Sequence, residues 1–118
     1  MEQHENEIEI AQLERRLEST DFIIESYSEN AREHLANAVA TMKRAIEDAE
    51  RELARLNAAD SNYTPTKVAN RILHAFAWGH ANATTSIESA SNDGESIAAA
   101  KVQRAEILTV LNAAREAK

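Results

Sequence analysis

The sequence predicts an all-α protein: an antiparallel bundle of three helices, or of four if its long first helix breaks. Three observations predict it. Two Gly and one Pro are all that interrupt 118 residues, so few positions favour a sharp reversal of the chain. Ala, Glu, Arg and Leu, the strong helix formers, are plentiful, whereas Phe, Trp and Tyr together make up 4%. Apolar residues recur at three- and four-residue steps through most of the chain. A single domain is expected at this length.

The first helical stretch covers residues 3–58. Ile10, Leu17, Ile24 and Ala31 recur every seven residues, with Leu13 between them. The repeat then restarts four residues on, at Leu35, Met42, Ala49 and Leu56, supported by Val39, Ile46 and Leu53. Such an insertion is a stutter, which unwinds a supercoil locally without ending the helix. Unbroken, the helix would exceed 80 Å at about 1.5 Å per residue, too long for a small globule to cover. Either it projects and pairs with another copy, or it breaks or kinks within 19–30. Thr20-Asp21 or Ser26-Tyr27-Ser28-Glu29 could cap a new helix there. The break is the adopted expectation. It separates an acidic segment, 1–30, from a helical bundle, 31–118. The seam Ile10, Leu13, Leu17 and Ile24 is narrow and calls for a partner helix, which makes it the expected oligomer contact.

Residues 57–65, Asn-Ala-Ala-Asp-Ser-Asn-Tyr-Thr-Pro, form the first connection. Thr64 is placed as an N-cap and Pro65 as the first helical residue, where a missing N–H costs nothing. The second stretch, 65–90, carries an apolar row through Val68, Ile72, Phe76, Gly79, Ala83, Ile87 and Ala90. Ser91-Asn92-Asp93-Gly94-Glu95 reads as a turn. The third stretch, 95–116, buries Ile97, Ala100, Ile107, Leu108, Leu111 and Ala114. A core this rich in Ala is thin, because burial contributes only about 25 cal/mol per Å² of apolar area. A homo-oligomer is therefore expected.

Several function classes are set aside by composition. Without cysteine there is no disulfide framework, thiolate metal site or thiol nucleophile. The acidic start lacks an apolar run, and no stretch approaches the roughly 20 apolar residues of a membrane span. A cytoplasmic protein away from membranes is expected. Residues 1–60 carry 15 acidic and 7 basic side chains, and residues 61–118 carry 5 and 6. Direct nucleic-acid binding needs an excess of Lys and Arg that this chain lacks. No Glu-x-x-His occurs, and His4, His34, His74 and His80 fit no common zinc spacing, so no metal or other cofactor is expected. Nor does any nucleophile elbow or glycine-rich phosphate loop appear, so no catalytic residue is assigned.

Two constellations point to binding instead. Glu14, Glu18, Glu25 and Glu29 line one side of the first helix, where residues 1–33 hold ten acids and three bases. A solvated outer face is the plainer account. The sharper one is an acidic rod that occupies the basic cleft of another protein, broadly similar to acidic DNA mimics of phage and plasmid origin. On the second stretch Lys67, Arg71, His74, Trp78 and Thr85 follow at helical spacing beside Asn82. A guanidinium and an imidazole one turn from an indole suit a small nucleotide-like ligand, whereas the plainer account has Trp78 packing at an interface.

Ile72-x-x-Ala75-x-x-Trp78-x-x-Ala81, after a proline-led helix start, resembles the second helix of phage anti-CBASS sponges over about ten residues. That resemblance implies a small helical oligomer sequestering cyclic oligonucleotides, although the charged residues expected just before the tryptophan are missing here. The first expectation remains a non-enzymatic, homo-oligomeric helical protein. It would bind another protein and regulate or inhibit it, as an accessory or phage-type inhibitor. A nucleotide sponge and a DNA mimic are the alternatives.

Overall fold

The computed structural model describes residues 2–57 and 62–117. They form two helices, α1 (Glu2–Asn57) and α2 (Pro65–Glu116). This corrects the expected three- or four-helix bundle: the chain forms two long helices. The expected break within 19–30 is absent. Thr20 does not cap a new helix; its hydroxyl donates to the Arg16 carbonyl one turn back (2.8 Å), so the residue stays helical while buried.

The second correction concerns Ser91–Glu95, which is helix interior rather than a turn. An isolated Gly costs a helix only about 1 kcal/mol, and Gly94 shows no positive φ of the kind a helix-ending cap requires. Ala90 and Ala100 on either side are strong helix formers and buried, which offsets that cost. Polar residues nearby also adapt to the helix. Asn82, Thr85, Ser89 and Ser96 each turn a side-chain donor onto the carbonyl four residues earlier, at 2.8, 3.2, 3.2 and 3.3 Å. Of the 57–65 connection, residues 58–61 lie outside the described ones. Its end behaves as the sequence predicts: the Lys67 N–H donates to Thr64 Oγ1 (3.3 Å), and the Val68 N–H to the Thr64 carbonyl (3.0 Å).

The helices pair in two compact units. One unit comprises residues 1–31 and 91–118. Its core is Ile10 and Leu13 of α1 against Ile107, Leu111 and Ala114 of α2, with Leu17 packed alongside. Asn6 Nδ2 donates to the Ala114 carbonyl (3.1 Å), and Arg104 Nε donates to Asp21 Oδ1 (2.6 Å). Pairing early α1 with late α2 makes this unit antiparallel.

The other unit, residues 32–90, is held by small side chains. Ala38, Ala45 and Ala49 of α1 and Val68, Gly79, Ala83 and Ala90 of α2 are all buried, and Gly79 lies against Ala45. Of the expected heptad restart, Ala49 is buried and Met42 and Leu56 are half-buried, whereas Leu35 is exposed. Beside these an inward row runs on at seven-residue steps from Ile24 through Ala31, Ala38 and Ala45, while Leu35, Val39, Ile46 and Leu53 face outward. On α2, Phe76 and Ile87 likewise leave the expected apolar row and stand exposed. Helix axes that approach closely at Ala and Gly leave no room between them for larger residues.

Candidate functional site

In the 32–90 unit the two helices border an open depression of about 610 Å³. Asp48, Arg51, Glu52 and Arg55 reach it from successive turns of α1, and Arg71, His74 and Trp78 from successive turns of α2. Steps of three and four residues place each set on one side of its helix. The antiparallel pairing then sets the two rows against each other.

Glu52 is the hub of the site. Its Oε1 accepts a hydrogen bond from Arg55 Nη1 (3.1 Å) and forms an ion pair with Arg71 Nη1 at 3.6 Å. Glu52 Oε2 is buried and accepts no hydrogen bond among the described residues. The same two guanidinium groups lie over the Tyr63 ring, 5.4 and 5.5 Å from its centre. One carboxylate and one aromatic face thus hold both cations in place. Arg51 pairs with Asp48 on its own helix. Three arginines against two carboxylates leave the depression one positive charge in excess, counting His74 as neutral. Trp78 is partly exposed at its edge.

Chemically, the arrangement offers three kinds of contact. The guanidinium groups are pre-positioned to fork around a phosphate or carboxylate. The exposed indole presents a ring on which a planar group can stack. The unpartnered Glu52 oxygen can accept from an amino, hydroxyl or ring N–H. Volumes of this order are usual for small-molecule sites.

The structure brings together Arg71, His74 and Trp78, the three residues that helical spacing singled out. Thr85 turns its hydroxyl back onto the Ala81 carbonyl, and Lys67 Nζ donates to the Asn62 carbonyl (3.2 Å). Neither lines the depression. Sequence reasoning missed Arg51, Glu52, Arg55 and Tyr63. Arg51 and Arg55 do share one side of a helix, a legible signal, but only the pairing register shows that it faces Arg71.

The remaining candidates lie in the other unit. Glu14, Glu18, Glu25 and Glu29 are exposed along one line of α1, and Glu14 also pairs with Arg115 at 3.4 Å. Of the seam residues, Ile10 and Leu13 are buried, Leu17 packs beside them and Ile24 is half-buried. This chain's own α2 fills the seam that was expected to receive another helix. Among the described residues no group of three or more His, Asp or Glu is placed to hold a metal ion, and no helix is long and apolar enough to cross a membrane. No family model, curated protein or solved structure matches the chain. Function is therefore read from the chemistry of the site itself.

Proposed function

We propose that this is a non-enzymatic binding protein that holds a small anionic ligand with a planar ring, a nucleotide-like molecule, in the depression between Arg55, Arg71 and Trp78. The observation that carries this reading is the pair of guanidinium groups fixed by Glu52 and Tyr63 beside an exposed indole. Positioned cations lose little freedom on binding a phosphate, and the ring beside them favours a nucleobase over a bare anion. Trp78 is the only tryptophan, so its fluorescence reports on the site without interference. Titration with nucleoside mono- and triphosphates and cyclic dinucleotides should give a saturable change. Arg71→Ala should weaken it by about ten-fold or more, the loss of one charge-assisted contact. A flat response to every member of that panel overturns the reading.

A second reading keeps the first sequence-based expectation, in which the protein engages and inhibits another protein through its acidic row. The supporting observation is that Glu18, Glu25 and Glu29 stand exposed in line on α1. It requires that charge reversal of these three residues abolish capture of the partner from host lysate. Retention of the same partner by the reversed protein removes it.

A further inference from the structure

The 32–90 unit has two unlike faces. On α1, Asp48, Arg51 and Arg55 lie to one side of the inward row through Ala45, and Ile46 and Leu53 lie to the other. On α2, Arg71 and Trp78 lie to one side of the row through Gly79, and Leu73, Phe76 and Ile87 lie to the other. Both helices border the same depression on the first side. Their second sides therefore form one face, apolar except for the exposed His80, which stands between Leu73 and Ile87 on α2.

That face is large for something left uncovered. Leu35, Val39, Ile46 and Leu53 are 48, 54, 48 and 51% exposed, and Leu73, Phe76 and Ile87 are 65, 39 and 50%. Seven large apolar side chains this exposed on one side of a unit are more than single scattered surface residues, and clustered exposure of this kind marks an interaction surface. The spacing on α1 is also that of a helix-packing row: Leu35, Val39, Ile46 and Leu53 follow at steps of four, seven and seven.

The geometry points to a second copy of this chain as the occupant, seated face to face about a twofold axis that runs across the helices, so that the 32–90 units of the two copies close an antiparallel four-helix bundle. The charges bordering the face choose this occupant. Lys43 lies four residues after Val39 and three before Ile46, and Glu50 lies four after Ile46 and three before Leu53. Both are exposed, and the seven residues between them put them on the same edge of α1. With α1 against α1 of the partner, antiparallel and with the axis beside Ile46, Lys43 meets Glu50 of the partner subunit and Glu50 meets Lys43 of the partner subunit. Because Ala45 lies opposite Gly79, Phe76 sits within about one turn of Ile46 and comes close to the same axis. An anionic membrane surface would instead select a border of cations only. The depression holding Arg71 and Trp78 is on the far side of the unit and stays open, so this assembly stands or falls separately from ligand binding.

Sedimentation velocity on the full chain tests the inference. The wild type should sediment at twice the 13.1 kDa chain mass, and Ile46→Asp at the chain mass with its helical circular dichroism retained. Lys43→Glu and Glu50→Lys should each raise the dimer Kd about ten-fold through two like-charge contacts, and the double swap should return it to within about three-fold of wild type. A wild-type chain that stays at the monomer mass up to about 100 μM overturns the proposal. So does a double swap that remains as weak as the single ones, since a partner other than this chain has no reason to respect the exchange.

Discussion

A Cβ built on Gly79 stands 2.7 Å from the Cβ of Ala45 and 3.4 Å from Met42 Sδ. Two real methyl carbons do not approach so closely, and Ala45 has no flexible end to move aside. Gly79 is therefore what lets the helices of the 32–90 unit come together. In Gly79→Ala the helix gains about 1 kcal/mol of propensity, while overpacking costs about 1–3 kcal/mol. The expected net change is a loss of about 1 kcal/mol in urea denaturation, recovered for the most part when Ala45→Gly is added. A more stable Gly79→Ala variant would mean that the helices stand further apart.

Gly94 should respond in the opposite sense. A Cβ placed there meets nothing within 4 Å, and the residue has no positive φ. Gly94→Ala should stabilise the protein by about 0.5–1 kcal/mol, because only the unfolded chain loses freedom. A turn glycine with positive φ would give destabilisation, so the sign of this one measurement separates two helices from three.

The contrast between the two glycines shows where the sequence was readable. Helical character, the Thr64 cap and Pro65 start, and the Ile10–Leu13–Leu17 row were legible because each rests on local chemistry or on one helix's own period. The Ser91–Glu95 segment was not, since turn-forming side chains also bond within a helix and only packing decides. The seam after Ala31 was legible at Met42, Ala49 and Leu56 but not at Leu35, for a different reason. Leu, Val and Ile outrank Ala by hydrophobicity, yet a close helix approach places Ala38 and Ala45 inside and leaves Leu35 and Val39 outside. For the site, Arg71, His74 and Trp78 shared one helix and could be found, whereas Arg51, Glu52 and Arg55 needed the register between helices.

Leu111 is fully buried, the largest such side chain among the described residues. Leu111→Ala should cost about 2–5 kcal/mol, the usual sum of lost burial and residual cavity. Chemical denaturation of the purified variant gives the number directly. A cost below about 1 kcal/mol would mean that Leu111 is accessible to water in solution.

Arg104 and Asp21 join the helices of the other unit at 2.6 Å, but both remain about half exposed. Water and salt screen such a pair, so a double-mutant cycle with Ala at each position should give a coupling of about 0.2–1 kcal/mol. The coupling should fall towards zero near 1 M salt, where the screening length is about 3 Å. A coupling that salt leaves intact would place the pair in a drier setting than its exposure implies.

The side chains of Asn82, Thr85, Ser89 and Ser96 that turn back onto their own helix have a consequence for how the molecule fails. Each shares a carbonyl with the main-chain amide that already uses it, and residues of this type favour extended backbone once released. The stretch 82–96 is therefore the part of α2 whose interior has the weakest helical preference of its own. A protease that cuts there leaves all of α1 on the N-terminal fragment and none on the C-terminal one, so the second half of α2 loses its covalent link to the stretch it packs on.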